Sequence, residues 1–142
     1  MPLSRQLKSS QYEALASLRH ALRGFLHFSQ DAARTAGIPP QQHQALLAIK
    51  GFPGRDYVSI SELATRMHLR HHSTVGLVDR LVRRGLVRRG ESKLDRRRVD
   101  LRLTARGEQL IEKLSAAHLM ELRQLAPELR RLLMSIERDA RR

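Results

Sequence analysis

The apolar residues of this chain keep a helical spacing almost throughout and change period once, between Leu86 and Leu103. Leu86-Val87-Arg88-Arg89 leads into a polar tip from Gly90 to Arg98, and Val99-Asp100-Leu101-Arg102-Leu103 leads out of it, alternating apolar and polar residues. Such alternation puts one face of a strand inward and the other in water, so the stretch predicts a β-hairpin, or wing. One hairpin among helices in 142 residues leaves room for one compact unit with one core, mainly α with a small β-wing.

The helices can be followed along the chain. From about Ser10 to Thr35, Leu15, Leu18, Leu22, Phe25, Leu26 and Ser29 fall on one face of a long amphipathic helix that stops at Gly37. Ile38-Pro39-Pro40 punctuates the chain, and Pro40 suits the first turn of a second helix that runs to about Lys50 with Leu46, Leu47 and Ile49 inward. After Gly51-Phe52-Pro53-Gly54, the run Val58-Ser59-Ile60 is too short to stand alone and needs a strand later in the chain to pair with. Ser59 and Glu62 have capping-box spacing and open a third helix to about Met67, in which Leu63 and Met67 share a face with Ile60 and Ala64 lets a neighbour approach. A turn around Leu69 to His71 leads to a helix over about His72 to Arg84, with Val75, Val78, Leu81 and Val82 inward. His72, Ser73, Gly76, Arg80 and Arg83 face out, and Gly85 ends the helix. Beyond the hairpin, Thr104 caps a long helix carrying Leu110, Ile111, Leu114, Ala117, Leu122 and Leu125 to a break or kink at Pro127. A last helix then places Leu129, Leu132, Leu133 and Ile136 on one face.

Charge narrows the function. The formal net charge is +13, and between Arg66 and Arg106 twelve arginines and Lys93 stand against only Asp79, Glu91, Asp95 and Asp100. Lysine occurs only at positions 8, 50, 93 and 113, so the basic residues are overwhelmingly arginine, whose planar fork pairs with phosphate or guanine. A polyanionic partner fits, with a solvated basic surface or a membrane-surface patch as the plainer alternatives. Without cysteine there are no disulfides, thiolate metal sites or thiol redox sensors. No apolar run approaches the roughly 20 residues of a membrane span, and Met1 to Ser10 lacks a signal-peptide core, so a soluble cytoplasmic protein is expected. His68, His71 and His72 have a spacing that could suit zinc, but no cysteine or convergent carboxylate accompanies them, so neither metal nor cofactor is expected. No phosphate loop, nucleophile motif or carboxylate pair suggests an enzyme.

The first and last helices carry more apolar surface than the small central module can cover. They are expected to bury each other across a two-fold axis, the alternative being a bundle within one chain.

Pro40-Gln41-Gln42-His43, Ser61-Glu62-Leu63-Ala64, Leu77-Val78-Asp79-Arg80-Leu81, Arg84-Gly85-Leu86-Val87, and Asp95-Arg96-Arg97 followed by Leu101, Leu103-Thr104 and Gly107 occur in that order. Together they resemble the MarR family of bacterial transcription regulators, residue by residue from about Ile38 to Gly107 and only in helix length and amphipathicity outside it. The resemblance implies a single domain over 1–142, with a winged helix-turn-helix lobe over about 38–104 and dimerisation helices over about 10–36 and 105–142. It further implies a homodimer that reads a pseudo-palindrome in double-stranded DNA. Family members usually repress, and many release DNA when a small, often phenolic or anionic, effector binds between the dimer helices and the lobe. By position, His72 to Arg84 becomes the recognition helix, and Arg97 the wing arginine that enters the minor groove, oriented by Asp95.

The side chains suit those roles. Ser73 and Thr74 are short hydrogen-bonding groups near a helix N-terminus, open to base edges or to ordinary capping. Gly76, costly in a helix interior, implies either close approach of DNA or a packing need. Arg80 and Arg83 reach bases or backbone, or remain solvated. Arg70-His71-His72 departs from the acid or serine common in relatives; cations there oppose the helix dipole, which a phosphate would relieve. Arg96 and Arg98 are expected to touch the DNA backbone. Phe25, His27 and Phe28 could line an effector pocket or belong to the core. The rival function is a basic architectural or RNA-binding protein of low sequence specificity.

Overall fold

The computed structural model describes residues 6–141. Five helices and three strands follow one another: α1 (Ser9–Thr35), α2 (Pro40–Lys50), β1 (Tyr57–Val58), α3 (Ile60–Met67), α4 (His71–Arg83), β2 (Val87–Glu91), β3 (Val99–Leu103) and α5 (Ala105–Arg141). The chain divides into two compact units, one of them Ala32–Ala116 and the other formed by the chain on either side of it.

In the central unit each boundary has a local cause. Gly37 and Gly85 hold φ of 79° and 72° after α1 and α4, a left-handed backbone that glycine adopts without a Cβ penalty. Pro40 starts α2, where its missing N–H has no helical partner to lose. The Ser59 hydroxyl accepts from the Glu62 N–H at 3.2 Å, and Glu62 Oε1 accepts from the Ser59 N–H at 2.9 Å, so the capping box is complete. Thr104 Oγ1 accepts from the Gly107 N–H at 3.1 Å and donates to the Gly85 carbonyl at 2.6 Å, tying the start of α5 to the turn after α4.

The sheet runs β1-β3-β2, all antiparallel. The short β1 does find its later partner: Tyr57 lies opposite Arg102 and Val58 opposite Leu101. Leu46, Ile49, Val58, Leu63, Leu77, Leu81 and Leu101 form the centre of the core with essentially no solvent exposure.

Four expectations are corrected. On α2 the inward row is Gln42, Ala45, Leu46 and Ile49, at i, i+3, i+4, i+7, which leaves Leu47 about 100° off that face and 48% exposed. The inward row of α4 is Thr74, Leu77, Val78 and Leu81, with Val75 and Val82 only partly buried at its margin, and the helix spans one residue earlier than expected at both ends. In β3, Leu101 and Leu103 turn inward, but Val99 stands opposite Glu91 at the outer end of the wing and is exposed, while Asp100 is buried. Finally, α5 runs through Pro127 as one helix, so there is no break there and no separate last helix. Proline there removes the donor for the Arg123 carbonyl, but strong helix formers stand on both sides, Leu122-Arg123-Gln124-Leu125-Ala126 before and Glu128-Leu129-Arg130 after.

Candidate nucleic-acid interface

The exposed side of α4 begins at its N-terminus. Arg70 occupies the N-cap with no side-chain cap, the first turn holds no acid, and Arg70, His71, His72 and Ser73 are all exposed. Unsatisfied N–H groups and the helix dipole make such an end receptive to an anion. One turn on, Gly76 is partly exposed, and a Cβ built there would meet only Arg80 Nη1, at 3.6 Å. Nothing among the described residues requires glycine at that position, so packing within them does not explain it. Arg80 is exposed on the same side, and Arg83, also exposed, turns its Nε back to the Asp79 carbonyl at 3.4 Å.

Thr74 does not join this surface. Its side chain is 0% exposed and its hydroxyl donates to the Arg70 carbonyl at 2.9 Å, so it is a satisfied core group beneath the helix.

The tip of the wing is braced by its own backbone. Ser92 Oγ accepts from the Leu94 and Asp95 N–H groups, each at 3.3 Å, and the Arg98 N–H donates to the Asp95 carbonyl at 3.0 Å. Asp95 Oδ1 accepts from the Arg97 backbone N–H at 2.9 Å. The aspartate therefore orients Arg97 through its main chain, in an Asx-type turn, and leaves the guanidinium free to reach outward. Arg96 and Arg97 are exposed and make no ion pair among the described residues. Arg98 differs: its guanidinium donates to Glu62 Oε1 at 2.8 Å, tying the wing back to α3.

Glu62 is thus shared among Ser59, Arg98 and Arg55. Burial pushes its carboxyl up, but the Ser59 N–H and hydroxyl and the Arg55 guanidinium outweigh that and hold it below the ordinary carboxylate range. Other arginines of the basic run also have internal partners. Arg89 pairs with Asp79, joining β2 to α4, and Arg84 donates to the Gly37 carbonyl at 2.6 Å, closing the end of α1. No local pattern marks these long-range pairs; only the tertiary fold brings them together.

In the other unit, Phe25 and Phe28 both pack edge-on against the His118 ring, at centroid distances of 5.8 and 5.4 Å, and His118 Nε2 lies 2.8 Å from Ser29 Oγ. His27 is not part of this cluster: its side chain is 76% exposed and pairs with Asp31 at 3.3 Å. Within the central unit, a cavity of about 290 Å³ is lined by Ile38, Leu86 and Leu110 with Arg84, Arg106 and Lys113 among its other residues. Among the described residues no group of three His, Cys, Asp or Glu could hold a metal, and no helix is long and apolar enough to cross a membrane.

Two helices joined by a tight turn and followed by an antiparallel wing make Ala32–Ala116 a winged helix-turn-helix unit. The model of the MarR family matches residues 36–98, the stretch that holds α2, α3, α4 and β2 and ends just before β3. A proposed transcriptional regulatory protein for the hcr operon of Thauera aromatica is 32% identical over 99 residues, which are 70% of this chain and 58% of that protein's length. Sco3205 of Streptomyces coelicolor, a MarR family regulator solved in complex with DNA, superposes with a TM-score of 0.70 at 23% identity, covering 99% of this chain and 91% of that one. NadR, solved with 4-hydroxyphenylacetate, superposes with a TM-score of 0.66 at 25% identity, covering 99% and 94%. Over residues 36–98 the chain is similar to the MarR family, and it shares the fold of solved members of that family.

Proposed function

We propose that the protein is a sequence-specific double-stranded DNA-binding transcription regulator, not an enzyme, acting in the cytoplasm as a homodimer on a pseudo-palindromic operator. The observation that carries this reading is the outer face of α4. There an uncapped, base-rich N-terminus stands one turn from a glycine that the chain's own packing does not require. DNA supplies both a phosphate for the helix end and a surface that needs the missing Cβ. Arg70, His71, His72, Ser73, Arg80 and Arg83 meet backbone and base edges in the major groove. Arg97 enters the minor groove from the turn that Asp95 holds, and Arg96 meets phosphate.

About 10–36 and 105–142 serve as dimerisation helices around a lobe of about 38–104. The exposed Leu15, Leu22, Leu26, Leu119, Met120 and Leu133 support that role, because apolar faces of this size are covered in stable proteins. A repressor of this kind responds to a small phenolic or anionic effector, of the sort with which NadR was solved. Phe25, Phe28 and His118 offer an aromatic cluster for it.

Selection of bound duplexes from a random pool tests the function directly. The expected product is an inverted repeat with half-sites about one helical turn apart, bound about a thousandfold more tightly than random DNA. Equal affinity for selected and random duplexes, or preference for RNA, refutes the reading.

A further inference from the structure

Arg55, in the loop before β1, is an arginine the basic run does not include and one the DNA-facing surface does not use. Its side chain is mostly withdrawn from solvent, at 25% exposure. The guanidinium lies over the Phe52 ring at 4.4 Å and over the Tyr57 ring at 4.9 Å, and pairs with Glu62. Each of these contacts leads on. Tyr57 is the cross-strand partner of Arg102, whose guanidinium lies over the same ring at 4.3 Å and pairs with Asp56 at 3.1 Å. Glu62 holds Arg98 at 2.8 Å. Arg98 and Arg102 bracket the start and the body of β3, the return strand of the wing, so two separate routes join Arg55 to it. Arg66 of α3 also lies over Phe52, at 5.0 Å, bringing the helix-turn-helix into the same brace.

Only arginine fits this position. A planar, delocalised cation can lie against two rings and still donate to a carboxylate in its own plane, whereas an ammonium is a point charge with a strongly held hydration shell. We infer that Arg55 is a positioning residue for the wing: through Tyr57 and Glu62 it sets where β3 stands relative to α3, and so where Arg97 is presented. The binding consequence rests on the DNA reading above; the brace itself does not.

The test uses the full-length protein and its Arg55→Lys and Arg55→Ala variants. Hydrogen exchange of the wing amides without DNA reads the brace alone, and a rise of about fivefold or more at 92–98 is expected in both variants while the α4 amides keep their protection. Binding is then measured over a salt series on the selected duplex and on one whose A·T flanks are replaced by G·C. Arg55→Lys should lose most of the flank preference, about fivefold, and keep the salt slope, because the charge remains. It should add less than about twofold to the loss already caused by Arg97→Ala, since a residue acting through Arg97 has nothing left to position. Unchanged wing exchange overturns the proposal, as does an Arg55→Lys loss that adds in full to Arg97→Ala. If Arg55→Ala fails to fold, the milder Arg55→Lys decides. If the wild type shows no duplex preference, the DNA reading fails, and the exchange result still decides the brace.

Discussion

Replacing Gly76 by alanine should move stability and DNA binding in opposite directions. In the middle of α4 a glycine costs about 1 kcal/mol relative to alanine, because its backbone loses more freedom on folding. The new Cβ would meet only Arg80 Nη1 at 3.6 Å, an ordinary contact with the end of a flexible side chain, so no strain offsets the gain. The melting temperature should therefore rise by about 3 °C, compared at one protein concentration because the Tm of the proposed dimer depends on it. In the proposed docking on DNA the methyl group stands where the helix lies close to the groove. Forcing an extra carbon into a well-packed contact costs about 1 to 3 kcal/mol, a loss of roughly tenfold to a hundredfold in affinity. Calorimetry and fluorescence anisotropy on the selected duplex give the two numbers. A more stable variant that binds as tightly as wild type would show that DNA does not approach Gly76, and a less stable one would show that the open space beside it is not real.

Gly107→Ala should behave in the opposite way, since its Cβ would fall 2.2 Å from the Leu86 carbonyl oxygen and α5 would have to back away from β2. The move loosens the Thr104 N–H bond to Leu86, 3.0 Å long, and the Thr104 hydroxyl bond to Gly85, so the urea midpoint should report a loss of about 3 kcal/mol. An unaltered midpoint would refute the close approach. Glu62→Gln keeps the cap but loses the charge. A carboxyl held below its ordinary value adds stability that is full above the unfolded value near 4.5 and is lost as pH falls through the lower folded one. The stability gap between wild type and variant should be constant from pH 7 to about 5 and close below that; a gap that persists in acid would show that the amide merely packs poorly.

What the sequence made legible was whatever is settled between near neighbours. The wing, the Ser59–Glu62 cap, the glycine stops at 37 and 85 and the exposure of His72, Ser73 and Arg80 all follow from period, spacing or backbone chemistry within a few residues. The inward row of α4 differs from the expected one because it includes a threonine, and a hydroxyl that bonds its own helix is as easily buried as a valine. At Pro127 the expected break does not occur, because the residues on both sides favour helix. The charge count was the least discriminating guide, since it treats every arginine as available. Arg55, Arg84, Arg89 and Arg98 hold the lobe together, while Arg80, Arg96 and Arg97 remain open to a partner. Sorting the two sets requires knowing that residues as distant as 62 and 98 meet.

The strand order β1-β3-β2 also bears on how the lobe is made. The central strand is the last of the three to leave the ribosome, so β1 and β2 both emerge before β3, the strand they share as partner, exists. Until Leu103 is clear of the exit tunnel, α2, α3 and α4 can gather locally, yet Val58, Leu63 and Leu81 still lack Leu101 and Leu103 of the core they share. Closure of that long loop costs entropy before any contact repays it. A nascent lobe therefore waits with its apolar centre open, and a chain arrested before Val99 presents chaperones and proteases with an unpaired hairpin arm instead of a smaller folded protein.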